Sequence, residues 1–438
     1  MNKALFPLLF LLAASLTLPS CGRSSSTGTK SGLPDRAFFT EDVSAGTVAA
    51  GVYIVDAQKD FDPLLSPISA GNTPGMMVLT PNRTQTLVFS SAENQLTVIS
   101  NASESAANSI TMPGFTESFL VSPDSSTAYI AVPTAKVVGH SPGVVSVISL
   151  SSAALAAEVD IPSVRYLAID NTGNRILAFS DSPDSTDSPC TALVPCFLFV
   201  ITPSNIGTQT NPVVAVPGFD HPVTAFFSSD DSTAYVVNCG VECGGTQASV
   251  QKLDLGSNTP GAAVSVPAAS VALLNGTTMY LAGTPVPASP CTGQTTAAAT
   301  CGLLTVFDLT SMAVTNSTNI VITDGYHNHM ALGANGQLFI GARTCTEITP
   351  ATSSHEVRGC LSIYNTQSSA VGSIQPGAVT IPPANGEVTG IQPIAKRTVV
   401  YVVQGGSLGI YDTTTDKLQT LQITNLVGQF VDVKTPDF

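Results

Sequence analysis

Histidine is scarce in this chain of 438 residues, with five in all: His140, His221, His327, His329 and His355. His221 opens an apolar run in "FDHPVTAFF", and His327 and His329 open another in "DGYHNHMALG". If both runs are strands, alternation places His327 and His329 on one face. Neutral imidazole is a common ligand for divalent metals. Asp220, Asp324 and Glu387 stand near enough in the pattern to add carboxylates. The same groups are equally suited to hydrogen bonding at ordinary turns. Glu117 and Arg165 sit at the starts of two further apolar runs and read as an ion pair lining the same opening, while His140 and His355 fall in loops. G-x-S-x-G occurs twice, at Gly139 to Gly143 and Gly405 to Gly409, but each falls between strand-like runs and not before a helix, and the chain contains no H-E-x-x-H, no phosphate loop and no C-x-x-C-H, so no short catalytic motif announces a reaction.

Composition narrows the classes. Only 11% of residues are charged and 43% are hydrophobic, against about a quarter charged in ordinary soluble domains. Disordered chains show the reverse balance, so this chain folds. Thirty acidic residues against 16 basic ones leave a formal charge of −14. That gives no footprint for a phosphate backbone, and nucleic acid is excluded as a partner.

The first residues carry an address. Met1 to Lys3 form a short basic start, Ala4 to Leu18 an apolar run, and Leu18-Pro19-Ser20-Cys21 closes it. The run is shorter than the roughly 18 to 20 residues that cross a bilayer and reads as an export signal. With Leu three positions before Cys21, it resembles the lipobox of bacterial lipoproteins. That resemblance implies cleavage before Cys21 and lipidation of its thiol, and Gly22 after it implies sorting to the outer membrane, on its periplasmic or surface side. Residues 1–20 are then a signal peptide, and residues 21–34 are the lipidated Cys and a flexible tether. The propeller described next takes residues 35–438.

After the tether the chain shows short runs rich in Val, Ile, Tyr and Phe, bounded by Pro, Gly, Asp and Ser, and these repeat. Eight second strands begin at Arg36, Thr86, Thr127, Arg175, Thr233, Thr278, Gln337 and Val399. Eight third strands end at Asp56, Ser100, Ser149, Thr202, Asp254, Asp308, Asn365 and Asp412. A unit of four short strands recurring every 40 to 60 residues is the signature of a β-propeller blade. The chain starts inside one unit, with strands at Arg36, Val52 and Leu64, and stops after a lone first strand at Gly428 to Val433. Joining the ends completes a blade and removes an open sheet edge. The expectation is an all-β single propeller of eight blades, with seven as the alternative. "SPDSSTAYIAV" from Ser122, "SSDDSTAYVVN" from Ser228 and "YVVQGGSLGIYDTTTDKLQTLQI" from Tyr401 resemble the repeat of YVTN-type, lactonase-like propellers. Ser125 stands where that family has Gly. The resemblance lies in scaffold residues and implies fold more than activity.

Second and third strands are joined by loops of very uneven length, and the long ones share one face with the openings of the first strands. Long loops on a rigid scaffold are where binding usually lives. With Cys21 assigned to lipid, the other eight cysteines fall as Cys190/Cys196, Cys239/Cys243, Cys291/Cys301 and Cys345/Cys360, each pair inside one such loop. In an oxidising compartment they are expected to form four local disulfides. The resulting expectation is an exported, monomeric, lipid-anchored propeller whose braced loop face binds an envelope protein or a glycan, with no cofactor required. The alternative is a lactonase-like hydrolase with a divalent metal at His221, His327 and His329, where Glu117, Arg165 and Glu387 ring the channel mouth.

Overall fold

The computed structural model describes residues 30–42, 49–185, 189–286, 301–343, 345, 359–367, 379–381, 387–420 and 422–438. Seven antiparallel sheets of four strands follow one another over residues 74–111, 118–160, 164–216, 222–265, 271–322, 327–381 and 388–420, here blades 1 to 7. In blade 5 the outermost strand is split in two. The closing blade takes Gly51–Asp56 and Arg36–Glu41 from one end of the chain and Phe430–Lys434 from the other. The first strand of each blade is innermost, and these inner strands touch their neighbours in sequence order until Phe430–Lys434 meets Pro74–Leu79. The molecule is therefore an eight-bladed β-propeller. No helix among the described residues is long and apolar enough to cross a membrane.

One strand expected from the sequence is missing. The closing blade was to have its fourth strand at Leu64, but that edge has only isolated bridges, Val52 to Ile68 and Asp56 to Phe61. Leu64 instead lies in a left-handed conformation with 69% of its surface exposed. Residues 1–29, including Cys21, lie outside the described residues.

Each seam between blades holds its own core. Eight clusters of buried apolar side chains are present, one per seam, from Leu87 and Ile130 between blades 1 and 2 round to Phe38 and Val88 at the closing seam. The strands read as continuous apolar runs because both faces of a blade pack against neighbours. Such a blade has little stability alone, and the ring stands through its seams.

On the face opposite the long loops, the turn between first and second strands follows one pattern. In blade 2 the Ser122 hydroxyl donates to Asp124 Oδ1 (2.5 Å), which also accepts the Ser126 N–H (3.0 Å), and the Thr127 N–H returns to Ser122 Oγ (3.0 Å). Blade 4 repeats it with Ser228, Asp230, Ser232 and Thr233. One residue in each such turn has positive φ: Arg83, Ser125, Gly173, Asp231, Gly276, Gly336 and Lys396 in blades 1 to 7. A side chain in that conformation costs about 1 kcal/mol or more, and the non-glycine residues offset it by reaching a neighbouring blade. Ser125 Oγ accepts the Asn82 N–H (3.0 Å), Arg83 donates to the Thr435 carbonyl (2.7 Å) and Lys396 pairs with Asp35 (3.4 Å). Asp231 accepts the Asn171 N–H (3.0 Å), its Nδ2 (2.7 Å) and the Thr172 N–H (3.0 Å). Asp231→Gly should therefore lower stability by about 1 kcal/mol even though it relieves the backbone, since three charge-assisted bonds outweigh the strain. A denaturant melt in which the glycine variant is the more stable protein would show that the stitch contributes nothing.

Candidate ligand site at the channel mouth

The inner strands do not run straight into the mouth. In blades 1, 3, 4, 6 and 7 their pairing slips by a residue or more near the start. A bulge leaves one residue unpaired and re-aims its side chain. Arg165 in blade 3 and Asn328 in blade 6 are such residues, as Val164 and Tyr166, and then His327 and His329, take successive partners across the slip.

The bulge at Asn328 overturns the expected alternation. His327 pairs with Ala342 and His329 with the next residue, Gly341, so the two imidazoles leave opposite faces of the strand. His327 is fully buried in the seam with blade 5, its Nε2 3.0 Å from the Thr323 carbonyl oxygen. Burial pulls it down to about 4 against the opposing effects of Thr323 and Asp324. His329 is likewise pulled down to about 4 by burial, with Asp432, Lys434 and Arg343 as its charged neighbours. His221 stands apart from both, its Nδ1 3.1 Å from Asp220 Oδ1 and its ring 4.3 Å from that of Phe197. Among the described residues no group of three or more His, Cys, Asp or Glu side chains is placed to hold a metal ion. The three histidines do not fit a shared metal.

What converges instead is a network across the mouth. Arg165 pairs with Glu117 (2.9 Å) and with Asp181 (3.0 Å), and Arg343 pairs with Glu117 (3.3 Å) and Glu387 (2.8 Å). Asn328 Nδ2 also donates to Glu387 (2.8 Å). Burial pushes the Glu387 carboxyl above the usual range, against the pull of Arg343. Arg165 lies over the Tyr166 ring at 5.0 Å and Arg343 over Tyr326 at 5.7 Å, and the two tyrosine hydroxyls meet at 3.4 Å. Blades 2, 3, 6 and 7 are thus linked through side chains over the channel. Glu117, Arg165 and Glu387, singled out in the sequence, take part in this network, together with Arg343, Tyr166 and Tyr326, which were not singled out. Arg343 follows the second strand of blade 6, and only its place after the eight-fold strand column could have flagged it.

Beside this network lies a cavity of about 600 Å³, bounded by Arg165, Tyr166, Asp181, His221, Tyr326 and Arg343 and also by Glu242 and Cys243. His221 has a left-handed backbone (φ 54°) that turns its ring toward the cavity. Histidine tolerates that region better than most residues, and such strain gathers at working sites. Its partner Asp220 accepts the Thr246 N–H (2.8 Å), the Thr246 hydroxyl (2.6 Å) and the Gln247 N–H (2.8 Å). Burial raises Asp220, but these bonds outweigh it and hold the carboxyl below the usual range. Glu242 behaves oppositely. Its burial pushes it up to about 7, relieved only in part by Thr284 and Ser270. Its Oε2 accepts the Thr284 N–H of blade 5 at 3.0 Å, and any Cβ at Gly283 would lie 2.8 Å from that oxygen. Sequence reasoning passed over Glu242 because nothing about its spacing marks it.

Of the expected disulfide loops, the one closed by Cys239 and Cys243 borders the cavity. Cys190 is bonded to Cys196, Cys239 to Cys243 and Cys345 to Cys360, each as the spacing suggested. Cys301 is also disulfide-bonded; its expected partner Cys291 lies outside the described residues, as does His355. His140 is exposed on a loop of the same face, away from this cavity, beside a second hollow of about 820 Å³ between the outer parts of blades 2 and 3.

No protein-family model matches the chain, and no curated protein matches it. Solved structures do. Hydrazine synthase from Kuenenia stuttgartiensis is 13% identical, with a TM-score of 0.53 over 82% of this chain and 98% of that one. A eukaryotic initiation factor is 11% identical, with a TM-score of 0.50 over 92% and 98%. The periplasmic gluconolactonase PpgL of Pseudomonas aeruginosa is 13% identical, with a TM-score of 0.48 over 92% and 98%. At such identities the likeness is one of fold alone.

Proposed function

We propose that this is an exported, lipid-anchored binding module of the cell envelope, and that the channel mouth on its braced face receives a small oxygen-rich ligand of the sugar or glycan class. The observation that carries this reading is the 600 Å³ cavity walled by paired guanidinium and carboxylate groups and two tyrosine rings. Planar charged forks match neighbouring hydroxyls in pairs, and an aromatic face takes the C–H side of a sugar ring. With three carboxylates on two guanidiniums, Glu117, Asp181 and Glu387 against Arg165 and Arg343, the wall favours a neutral ligand over an anion. Disulfides agree with an oxidising compartment. Calorimetry with a panel of neutral and acidic saccharides tests the reading. Neutral sugars should bind, and Tyr326→Ala should weaken them about tenfold or more; an unchanged affinity in that variant, or a panel without a binder, overturns it.

A second reading, a lactonase-like hydrolase, is favoured by one observation: Glu242 and His221, the latter held by Asp220, border the same cavity. No metal is needed for it. His221, held through Nδ1, would take a proton at Nε2 from water as the water oxygen bonds to the lactone carbonyl carbon. Glu242, protonated near neutral pH, would give its proton to the ring oxygen as the C–O bond breaks. Sugar lactones followed by pH-stat should then be opened, with kcat/KM lowered about 100-fold or more in Glu242→Gln. A Glu242→Gln protein as active as the parent excludes this chemistry.

A further inference from the structure

Cys239 and Cys243 enclose only Gly240, Val241 and Glu242, in a single turn of 3₁₀ helix. The other two described disulfides each end on the first residue of a third strand, Cys196 and Cys360, and so tie a loop to a sheet. The Cys239–Cys243 bond ties no strand residue: Cys239 follows the second strand of blade 4, which ends at Asn238, and Cys243 closes the turn. Its contribution to the sheet is therefore slight. Its position relative to the cavity is not. The Cys239 N–H donates to the His221 carbonyl (2.9 Å) and the Gly240 N–H to the Asp220 carbonyl (3.2 Å). The Gly245 N–H closes back on the Gly240 carbonyl (2.8 Å), and the next two residues wrap the Asp220 carboxylate. From inside the same turn Glu242 crosses the seam to Thr284 of blade 5.

We infer that the Cys239–Cys243 disulfide is a positioning device for the cavity: it fixes Glu242 against blade 5 and holds the Asp220–His221 pair against the same turn, so that reducing it disables the site while the ring stays folded. The inference rests on the reading of this cavity as a working site. Cys243 borders the cavity, which gives a small dithiol access. One thiolate of the dithiol attacks a disulfide sulfur to form a mixed disulfide, and its second thiol displaces that sulfur. The dithiol leaves as a cyclic disulfide, oxidised by two electrons, and both cysteines leave as thiols. With the turn released, Glu242 swings out to water and loses the burial that sets its acidity.

The test follows the Glu242 carboxyl carbon by NMR across pH in the full propeller, with Glu242→Gln used to assign the signal. Wild type, Cys239→Ala/Cys243→Ala and the control Cys190→Ala/Cys196→Ala are compared, each with a thermal melt. The expected result is a titration midpoint that falls by at least about one pH unit toward the ordinary carboxylate range in the first variant alone, with the melt retained. An unchanged midpoint in a folded Cys239→Ala/Cys243→Ala protein overturns the inference and leaves the cavity reading intact. A wild-type midpoint already in the ordinary range overturns the hydrolase reading together with the inference. If the double variant does not fold, native protein is treated with dithiothreitol, alkylated and mapped by mass spectrometry before the same titration. A bond that opens only on unfolding is structural, and that too overturns the inference.

Discussion

Phe39→Ala is expected to be the most damaging single substitution in the chain. Phe39 is fully buried in the closing blade, with its ring 5.9 Å from Tyr401 of blade 7 and 5.6 Å from Phe430, edge-on to the latter. It pairs in register with Val433 across the junction of the two chain ends. Truncation removes the transfer free energy of a buried aromatic ring and leaves a cavity, a loss of about 3 to 5 kcal/mol. Total stabilities of folded domains are about 5 to 15 kcal/mol, so the substitution takes a large share. The loss falls on the one blade that chain connectivity does not hold together. A urea melt should show the unfolding free energy lowered by that amount. A loss below about 1 kcal/mol would mean that the closing seam is not what keeps the ring shut.

The second large effect is a dependence on pH set by Glu41. Its carboxyl is buried at the end of Arg36–Glu41, where the register with Phe430–Lys434 slips, and it presses on Gly428 so closely that no Cβ would fit there. Gly428 also holds φ at 153°, a conformation that disfavours side chains. Burial pushes Glu41 up to about 7, opposed by the Gln429 backbone and assisted by Asp42 and Asp62. The folded protein therefore keeps this proton up to about pH 7, while the unfolded chain gives it up near the ordinary glutamate value of about 4.3. Between those limits the folded state binds more protons, so stability falls as pH rises and levels off above about 7. Glu41→Gln has no proton to lose. It should be more stable than the parent at pH 8 by about 3 to 4 kcal/mol, with the difference shrinking toward zero near pH 4. Glu242 adds a slope of the same sign to both proteins and cancels in the comparison. Parallel stability curves for the two proteins from pH 4 to 8 would rule Glu41 out as the source.

The scaffold was legible because its signal is repeated. Eight second strands and eight third strands fall where "TAYI", "TMYL", "LTVIS" and "LGIYD" place them, since strand formation here depends on apolar and β-branched runs between turn formers. Thr202 is a small exception, as its strand ends at Ile201. Local pairing also explains why Cys190, Cys239 and Cys345 could be matched to partners a few residues away. The site was less legible, because its geometry depends on bulges. Nothing in "DGYHNHMALG" says that Asn328 stands out of register, yet that one slip separates His327 from His329. Arg165 and Glu117 were singled out by their position at strand openings, whereas Glu242 is pushed up by its burial, in a seam that also brings the Thr284 N–H of another blade to it. Contacts of that range leave no trace in spacing.

The arrangement of the closing blade also decides how the ring answers a mechanical load. Arg36–Glu41 lies between Gly51–Asp56 and Phe430–Lys434, antiparallel to both, so a pull on the chain before Arg36 drags a central strand lengthwise past two neighbours. The hydrogen bonds on both sides then share the force and must break together, unlike a zipper opened from one end. Arg36 sits where that pull enters, tied to Asp437 (2.5 Å) and to Glu104 of blade 1 (2.9 Å). A ring closed by its own two ends is thus toughest along the direction in which an N-terminal tether would tug.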